Sequence, residues 1–124
     1  MSAARPGEGR VIIEMGTGNS LHKRDYTKAA VRAVEDAMRH SSLAILGLPG
    51  IARETLRVTA TIGVQEPDAV HTGAITDILG NDAEVIVERG GLDVRDDASG
   101  DVHVVAAAAV EVFLPLQSGW KLRG

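Results

Sequence analysis

The sequence contains no cysteine and only three aromatic residues. Without cysteine, disulfide bonds, thiolate metal sites and a cysteine nucleophile are excluded. Tyr26, Phe113 and Trp120 are the only aromatic side chains, so the core has to be built from valine, isoleucine, leucine and alanine, which bury less area per side chain. Many small buried residues favour close packing between layers or between subunits.

The chain also lacks a basic excess and a long apolar run. Its formal net charge of -4 argues against non-specific nucleic-acid binding, because that binding needs Lys and Arg to neutralise phosphates. No segment approaches the ~20 apolar residues of a membrane span, and the first ten residues lack the apolar segment of a secretory signal. We therefore expect a cytoplasmic protein that binds neither nucleic acid nor a membrane and uses no cofactor.

Length and composition predict one domain. A chain of 124 residues is long enough to bury a core but too short for a second one, and its balance of apolar and charged residues is that of a globular protein. We expect a flexible N-terminal arm at residues 1–9, a single α+β domain at residues 10–117 and a C-terminal tail at residues 118–124.

Hydrophobic periodicity predicts the order strand, helix, strand, helix, strand, strand. The first strand, at 11–15, is expected to end at Gly16 and Gly18. The helix at 27–40 has apolar residues at three- and four-residue spacing, with Asp25 or Thr27 as its cap. The later elements are a strand at 56–64, a helix from 65–68 to Gly80, a strand at 83–89, a polar turn at 96–101 and a strand at 102–116. Residues 41–51 are interpreted as a connection, and 90–91 as a bulge or a turn.

This order predicts a four-stranded mixed sheet with two helices on one face. The last strand, 102–116, is apolar on both sides for most of its length, as expected of a strand that is covered on both faces. Two short helices cannot cover both faces of the sheet. We therefore expect other copies of the fold to bury the second face, since an exposed apolar patch of that size usually marks an interface.

Residues 14–28 concentrate glycine, hydroxyl, imidazole and charged groups. The run Gly16-Thr17-Gly18-Asn19 either forms a structural turn or presents backbone amides to an anion. It lacks the third glycine of the dinucleotide fingerprint and the Gly-Lys-Ser/Thr of a P-loop, so nucleotide binding is not expected. The predicted ligand-binding residues are Gly16, Thr17, Gly18, Asn19, Ser20 and His22.

The ionisable residues of this segment leave several roles open. His22 can ligate a metal, move protons near neutral pH or line an interface or pocket. Ser20, His22 and Asp25 supply the groups of a catalytic triad, but a triad is defined by geometry and not by closeness in sequence. The catalytic candidates are His22, Asp25 and Lys28, and no metal site is predicted.

Two carboxylates, Glu14 and Glu111, lie in otherwise apolar strands. Each must be paired, solvated at an edge or held with a raised pKa. Pairing with Arg57, Arg89 or a base of another subunit is one interpretation, and acid/base catalysis is the other. The remaining histidines are expected to be structural: His40, His71 and His103.

The segment that starts at Gly16 resembles the mark of the "Lin" conserved-hypothetical family, Gly-x-Gly-x-Asp-x-His-Gly. Gly16, Gly18 and His22 match it, whereas Ser20 stands where the family has Asp and Lys23 where it has Gly. The similarity continues through 27–34, 57–64, 88–92 and 108–112, and it covers most of residues 10–116. The two changes suggest a diverged copy, such as one partner of a hetero-oligomer whose other chain keeps the Asp and the Gly.

A shorter stretch resembles the ring-opening amidohydrolases cyanuric acid hydrolase and barbiturase. In those enzymes one chain holds three similar domains around a pseudo-threefold axis, the Toblerone fold. Residues 16–19 and the run Arg24-Asp25-Tyr26-Thr27-Lys28 are similar in type and spacing to the opening of one such domain. The resemblance implies that a chain of one domain assembles as a trimer. The Lys of the family's Lys-Ser pair is replaced by Gly16, or by Met15 in a shifted register, and no Ser-Gly-Gly-x-Glu segment occurs.

The leading hypothesis is a subunit of a homo- or hetero-oligomeric, Toblerone-like assembly that is not catalytic alone. Residues 16–28 would then line a polar cleft between chains, and the partner is a second copy or a paralogous subunit. One alternative is a ring-opening amidohydrolase that acts on a cyclic amide or ureide at a subunit interface. The other is a module that binds a small ligand or a metal.

Overall fold

The structure is a computed structural model that describes residues 4–39 and 56–115. The connection at 41–51, His40 and the tail at 118–124 lie outside the described residues. Two α-helices and five strands occur in the described part. In chain order they are β1 (Glu8–Ser20), α1 (Tyr26–Met38), β2 (Arg57–Val64), α2 (Thr72–Leu79), β3 (Glu84–Arg89), β4 (Leu92–Arg95) and β5 (Val102–Pro115).

The five strands form one open mixed sheet. Its order is β1-β5-β2-β3, and β4 also pairs with β5. Strand β5 is antiparallel to β1, β2 and β4, whereas β2 and β3 are parallel. Strand β2 pairs with residues 107–113 of β5, and β4 pairs with residues 102–105. The two strands therefore lie one after the other along the same edge of β5.

The predicted α+β fold class is confirmed, with one strand more than the four predicted. The additional strand, β4, has only four residues, and it follows β3 after Gly90 and Gly91. Gly91 has a φ of +62°, a conformation that glycine adopts without steric cost. The turn at this glycine carries the chain from β3 to the edge of β5, so the two glycines form a turn between strands.

Both helices lie on one side of the sheet, here called the inner face. The core between the layers is built from small and branched side chains, as the scarcity of aromatic residues predicts. Ala33 and Val34 of α1 and Ile75 of α2 are completely buried, as is Ile62 of β2. Among the described residues, Tyr26 is the one aromatic member of this core. The small alanines of α1 allow the helix to lie close to the sheet.

Strand β1 does not end at Gly16 and Gly18, contrary to the prediction. It runs through both glycines to Ser20, and neither has a positive φ. A Cβ atom on Gly18 would lie 2.3 Å from the amide nitrogen of Ala33, and one on Gly16 would lie 2.4 Å from the Ala33 carbonyl oxygen. The glycines are therefore required because the backbone of α1 rests directly on β1. The connection between β1 and α1 is confined to residues 21–25.

The second helix begins later than the sequence predicts. Pro67–Ala69 form a short 3-10 turn, Val70 is extended, and α2 starts at Thr72. The hydroxyl oxygen of Thr27 on α1 accepts from the His71 amide at 3.0 Å and donates to the Ala69 carbonyl at 3.4 Å. This bridge satisfies backbone groups at the break, so the chain does not have to continue as one helix.

Candidate functional site

The predicted ligand-binding residues lie mostly in β1 and not in a loop. Gly16, Gly18 and Ser20 face α1, whereas Thr17 and Asn19 lie on the opposite side of the strand. The Thr17 amide donates to the Asp36 carboxylate of α1 at 3.0 Å. This segment is therefore an edge strand held by a helix, and it does not form the glycine loop that would present amides to an anion.

The side chains of Ser20, His22 and Asp25 do not form a triad. The Ser20 hydroxyl donates to the backbone carbonyl of His22 at 3.2 Å. The Asp25 carboxylate caps α1 by accepting from the Lys28 amide at 3.0 Å. Nδ1 of His22 lies 3.0 Å from Oδ2 of Asp101. The sequence did not indicate this histidine–aspartate pair, because its two residues are 79 positions apart.

The connection after His22 has an unusual backbone. Lys23 and Arg24 have φ values of +64° and +47°, in the left-handed region that costs a residue with a Cβ about 1–2 kcal/mol. Lys23 stands where the resembled motif has glycine. The strain therefore lies at a position where the chain departs from that motif.

Tyr26, the first residue of α1, connects the helix to β4. Its hydroxyl donates to the Asp93 carboxylate at 2.5 Å, and its side chain is 3% exposed. Burial raises the pKa of the Tyr26 hydroxyl, and the hydrogen bonds to Asp93 and Glu66 raise this pKa further. Asp93 was not singled out from the sequence, since only the pairing of β4 with β5 brings it to the helix.

Charged side chains form a network at the start of β1. Arg57 pairs with Glu8 and Glu84, and its guanidinium carbon lies 4.1 Å from the centre of the Phe113 ring. The hydrogen bond from Arg57 lowers the pKa of Glu8. Glu111 is completely buried and accepts from Arg10 at 3.1 Å. Glu111 is therefore paired, with Arg10, a base of its own chain that was not among the predicted partners, and these ion pairs link β1 to β2 and to β5.

The second side of the sheet, here called the outer face, carries four of the six large exposed apolar side chains of the described residues. Strand register assigns Met15, Thr17, Thr61, Ala107 and Ala109 to this face. Register assigns the large apolar residues of β3 and β4 to it as well. The exposed fractions of the large apolar side chains on this face are 60% for Met15, 40% for Ile86, 60% for Leu92 and 47% for Val94.

A depression of about 640 Å³ lies on the outer face. The residues that line it come from β1, β2, β3 and β5, the turn after β3, and α1. They are Met15, Gly16, Thr17, Asp36, Thr61, Gly63, Glu88, Arg89, Gly90, Gly91 and Ala107 to Ala109. The sequence predicted Gly16 and Thr17 as ligand-binding residues, but it did not indicate Thr61 or Glu88, which approach them only through strand pairing.

Two hydroxyl groups on this face have no hydrogen-bond partner. The side-chain oxygens of Thr59 and Thr61 are buried, and the structure gives neither a partner. Thr59 is completely buried and Thr61 is 8% exposed. Burying a hydroxyl without a partner costs about 1–3 kcal/mol. This cost distinguishes the middle of β2 from an ordinary apolar strand.

In the described ranges, no group of three or more histidine or carboxylate side chains is arranged to hold a metal ion. Within the same ranges, no helix is long and apolar enough to cross a membrane. Lys28, the third catalytic candidate, lies exposed in the first turn of α1. The candidate site with the most developed geometry is therefore the depression on the outer face.

Comparison with known proteins identifies the family. A family described as "Conserved hypothetical protein (Lin0512_fam)" matches residues 10–112. The chain belongs to this family. A crystal structure of an FtsZ-like protein of unknown function from Nostoc punctiforme is similar to it, with 28% sequence identity and a TM-score of 0.75. The similarity covers 89% of this chain and 98% of that one. No curated protein matches the chain.

Proposed function

We propose that this protein is a subunit of an oligomer in which other chains cover the outer face of the sheet. The observation that carries the proposal is the location of the exposed apolar side chains. Of the six large ones in the described ranges, four lie on the outer face. They are Met15, Ile86, Leu92 and Val94. A clustered apolar surface of this kind is typical of an interface and unusual for a free surface.

The energy scale supports an interface. Full burial of one such side chain contributes about 1.5–3 kcal/mol, and these four are 40–60% exposed. Covering them therefore contributes about 1 kcal/mol each, or about 4 kcal/mol for each copy. Ala107 and Ala109 lie between them on β5, and their small side chains allow a second chain to approach closely.

The arrangement that we expect is a trimer or a trimer-based, Toblerone-like assembly. The short resemblance to the ring-opening amidohydrolases supports it, because three similar domains surround one axis in those enzymes. We do not carry over their ring-opening reaction to a cyclic amide. Asp25, one of the residues that the resemblance covers, caps α1, and the Lys-Ser pair is missing from the sequence. A catalytic role for this chain alone is therefore not part of the proposal.

Light scattering after size-exclusion chromatography tests the proposal. Wild-type protein is expected to elute as an oligomer, and Leu92→Asp, which adds a charge to the outer face, is expected to dissociate it. Met38→Asp is the control, because Met38 is 38% exposed at the end of α1 and does not belong to the outer face. A stable wild-type monomer at about 100 μM chain would overturn self-assembly, since specific contacts have much lower dissociation constants.

Assembly with a paralogous chain is the second form of the same proposal. In that case the protein alone is expected to aggregate, because its outer face stays uncovered, and to become soluble when it is co-expressed with the paralogue. Mass determination of the co-purified complex then gives the ratio of the two chains. A chain that stays monomeric both alone and with the paralogue would contradict both forms.

A further inference from the structure

We propose that the depression on the outer face binds a small, flat organic cation. In this proposal an N–H group of the ligand pairs with Glu88, and the ring of the ligand lies on a floor of alanine and glycine. One chain forms the whole depression, but its floor belongs to the surface that the proposed oligomer covers, so the ligand binds a chain whose outer face is free.

The shape of the floor favours a flat molecule. Across neighbouring strands, Thr61 is opposite Ala109 and Gly63 is opposite Ala107. The side chains of the two alanines are methyl groups and the glycine has none, so the floor is flat. Met15 of β1 lines the depression at one side. A volume of about 640 Å³ is within the usual range for small-molecule sites, about 300–1,000 Å³. A ring on this floor contacts methyl groups and a thioether, which are favourable neighbours of aromatic systems.

The charges of the lining favour a cation. Glu88 is exposed, register aligns it with Gly63, and it forms no ion pair with the described residues. Asp36, at the other end, already accepts from the Thr17 amide and lies 3.7 Å from Arg39. Arg89 also lines the depression, but because successive strand residues point to opposite faces, its side chain starts from the side of β3 opposite to Glu88. Glu88 is thus the carboxylate that is available to a planar N–H pair.

The hydroxyl of Thr61 supplies a second polar contact. Thr61 lines the depression, is 92% buried and makes no hydrogen bond. Rotation about its χ1 angle exchanges the positions of the methyl and hydroxyl groups between staggered rotamers. A ligand that presents an N–H donor to this oxygen therefore satisfies a group that is unsatisfied in the free protein, which favours binding.

Benzamidine is a suitable probe because it combines a flat ring with a cationic amidine, and benzoate is its matched anion. Amide chemical shifts of the ¹⁵N-labelled full chain are followed during titration with each compound. Where the outer face is uncovered, benzamidine is expected to shift the amides of residues 61–63 and 107–109 with a dissociation constant of about 1 mM, a usual value for a compound of this size. Benzoate is expected to leave them unchanged.

Two substitutions and a control identify the contacts. Glu88→Gln is expected to weaken benzamidine at least about fivefold, in line with the loss of a charge-assisted hydrogen bond. Glu35→Gln, at an exposed position of α1, is expected to have no effect. Thr61→Val keeps the shape of the side chain and is expected to weaken binding as well.

The titration is repeated with Leu92→Asp, because Leu92 does not line the depression and the substitution is meant to uncover the outer face. Binding to this variant supports the site whether or not the protein self-assembles. Equal binding of benzoate, shifts confined to other residues, or no shift in either protein would overturn the inference.

Discussion

Replacing Gly18 by alanine is expected to separate α1 from the sheet. The added Cβ would lie 2.3 Å from the Ala33 nitrogen, 2.4 Å from the Ala29 carbonyl oxygen and 2.6 Å from Cβ of Arg32. Two of these atoms are helix backbone, so no side-chain rotation relieves the contact. Restoring an ordinary separation of 3.4 Å requires the helix to move by about 1 Å, beyond the adjustments that a close-packed core accommodates cheaply.

The expected loss in the free energy of unfolding is about 3 kcal/mol, at the upper end of the usual cost of overpacking. Single domains have only about 5–15 kcal/mol in total. With a urea dependence of about 1.5 kcal/mol per molar, the midpoint of urea unfolding falls by about 2 M. The measurement is a urea titration followed by circular dichroism, with wild-type protein alongside.

Gly73→Ala is the matched control. A Cβ atom there would meet nothing within 4 Å, and alanine favours helix formation over glycine by up to about 1 kcal/mol. This variant is expected to unfold at the same urea concentration as wild type or at a higher one. If Gly18→Ala were as stable as wild type, the close approach of α1 to β1 would not be the reason for the glycine.

Three further predictions concern the connection and the ionisable groups. Lys23→Gly is expected to raise the free energy of unfolding by about 0.5–1 kcal/mol, because glycine adopts a left-handed conformation without strain. The control, Lys28→Gly in α1, is expected to lower this free energy by about 1 kcal/mol. Both are measured by urea titration, and a Lys23→Gly variant less stable than wild type would contradict the argument. The pKa of Glu8 is lowered in the folded protein by Arg57, so its stabilising effect is present above the unfolded value of 4.5 and is lost as pH falls through the folded value. The difference in melting temperature between wild type and Glu8→Gln is therefore expected to shrink between neutral pH and pH values below about 4, and a difference that is independent of pH would refute this. The pKa of Tyr26 is raised in the folded protein, so the stabilising effect of the neutral side chain is present below the ordinary tyrosine pKa and is lost as pH rises through the folded value. Tyr26 is the only tyrosine, so tyrosinate absorbance is expected to appear together with alkaline unfolding. Ionisation near pH 10 in the folded chain would contradict the burial of this side chain.

Hydrophobic periodicity and capping residues were sufficient to predict the elements that keep one side buried and the other polar along their whole length. In β2, Ala60 and Ile62 face the helices while Thr59 and Thr61 lie on the outer face, so the alternation in the sequence corresponds directly to the two sides of the sheet. Asp25 caps α1 as one of its two predicted caps. These features depend on residues only a few positions apart in the sequence, and periodicity and capping residues are signals of that length.

The extent of β1 could not be predicted, because its glycines are explained by a helix that packs on them. Within a local window, Gly16 and Gly18 indicate a break, and only the contact with α1 gives them their actual role. Strand β4 was missed because its apolar positions, Leu92 and Val94, occupy just four residues, shorter than the runs from which strands are usually recognised.

The candidate site was even less accessible to sequence reasoning. Its lining combines Thr17 with Thr61, Glu88 and Ala107, which come from four different strands. None of these residues belongs to a motif with a fixed spacing, and the strand order brings them together only after β5 has paired with both β1 and β2. The segment 14–28, in contrast, contains a recognisable motif whose glycines serve packing.

The β1 edge of the sheet favours the outer face as the surface for assembly. An edge strand with free backbone groups recruits further strands unless those groups are covered. On β1, which lies at one end of the sheet order, the Thr17 amide is bound by Asp36 and the Asn19 carbonyl accepts from Arg32 at 2.7 Å. Helix α1 thereby occupies outward backbone groups of this strand. A second chain cannot extend the sheet at these positions without displacing both side chains, whereas the apolar residues of the outer face are available to it.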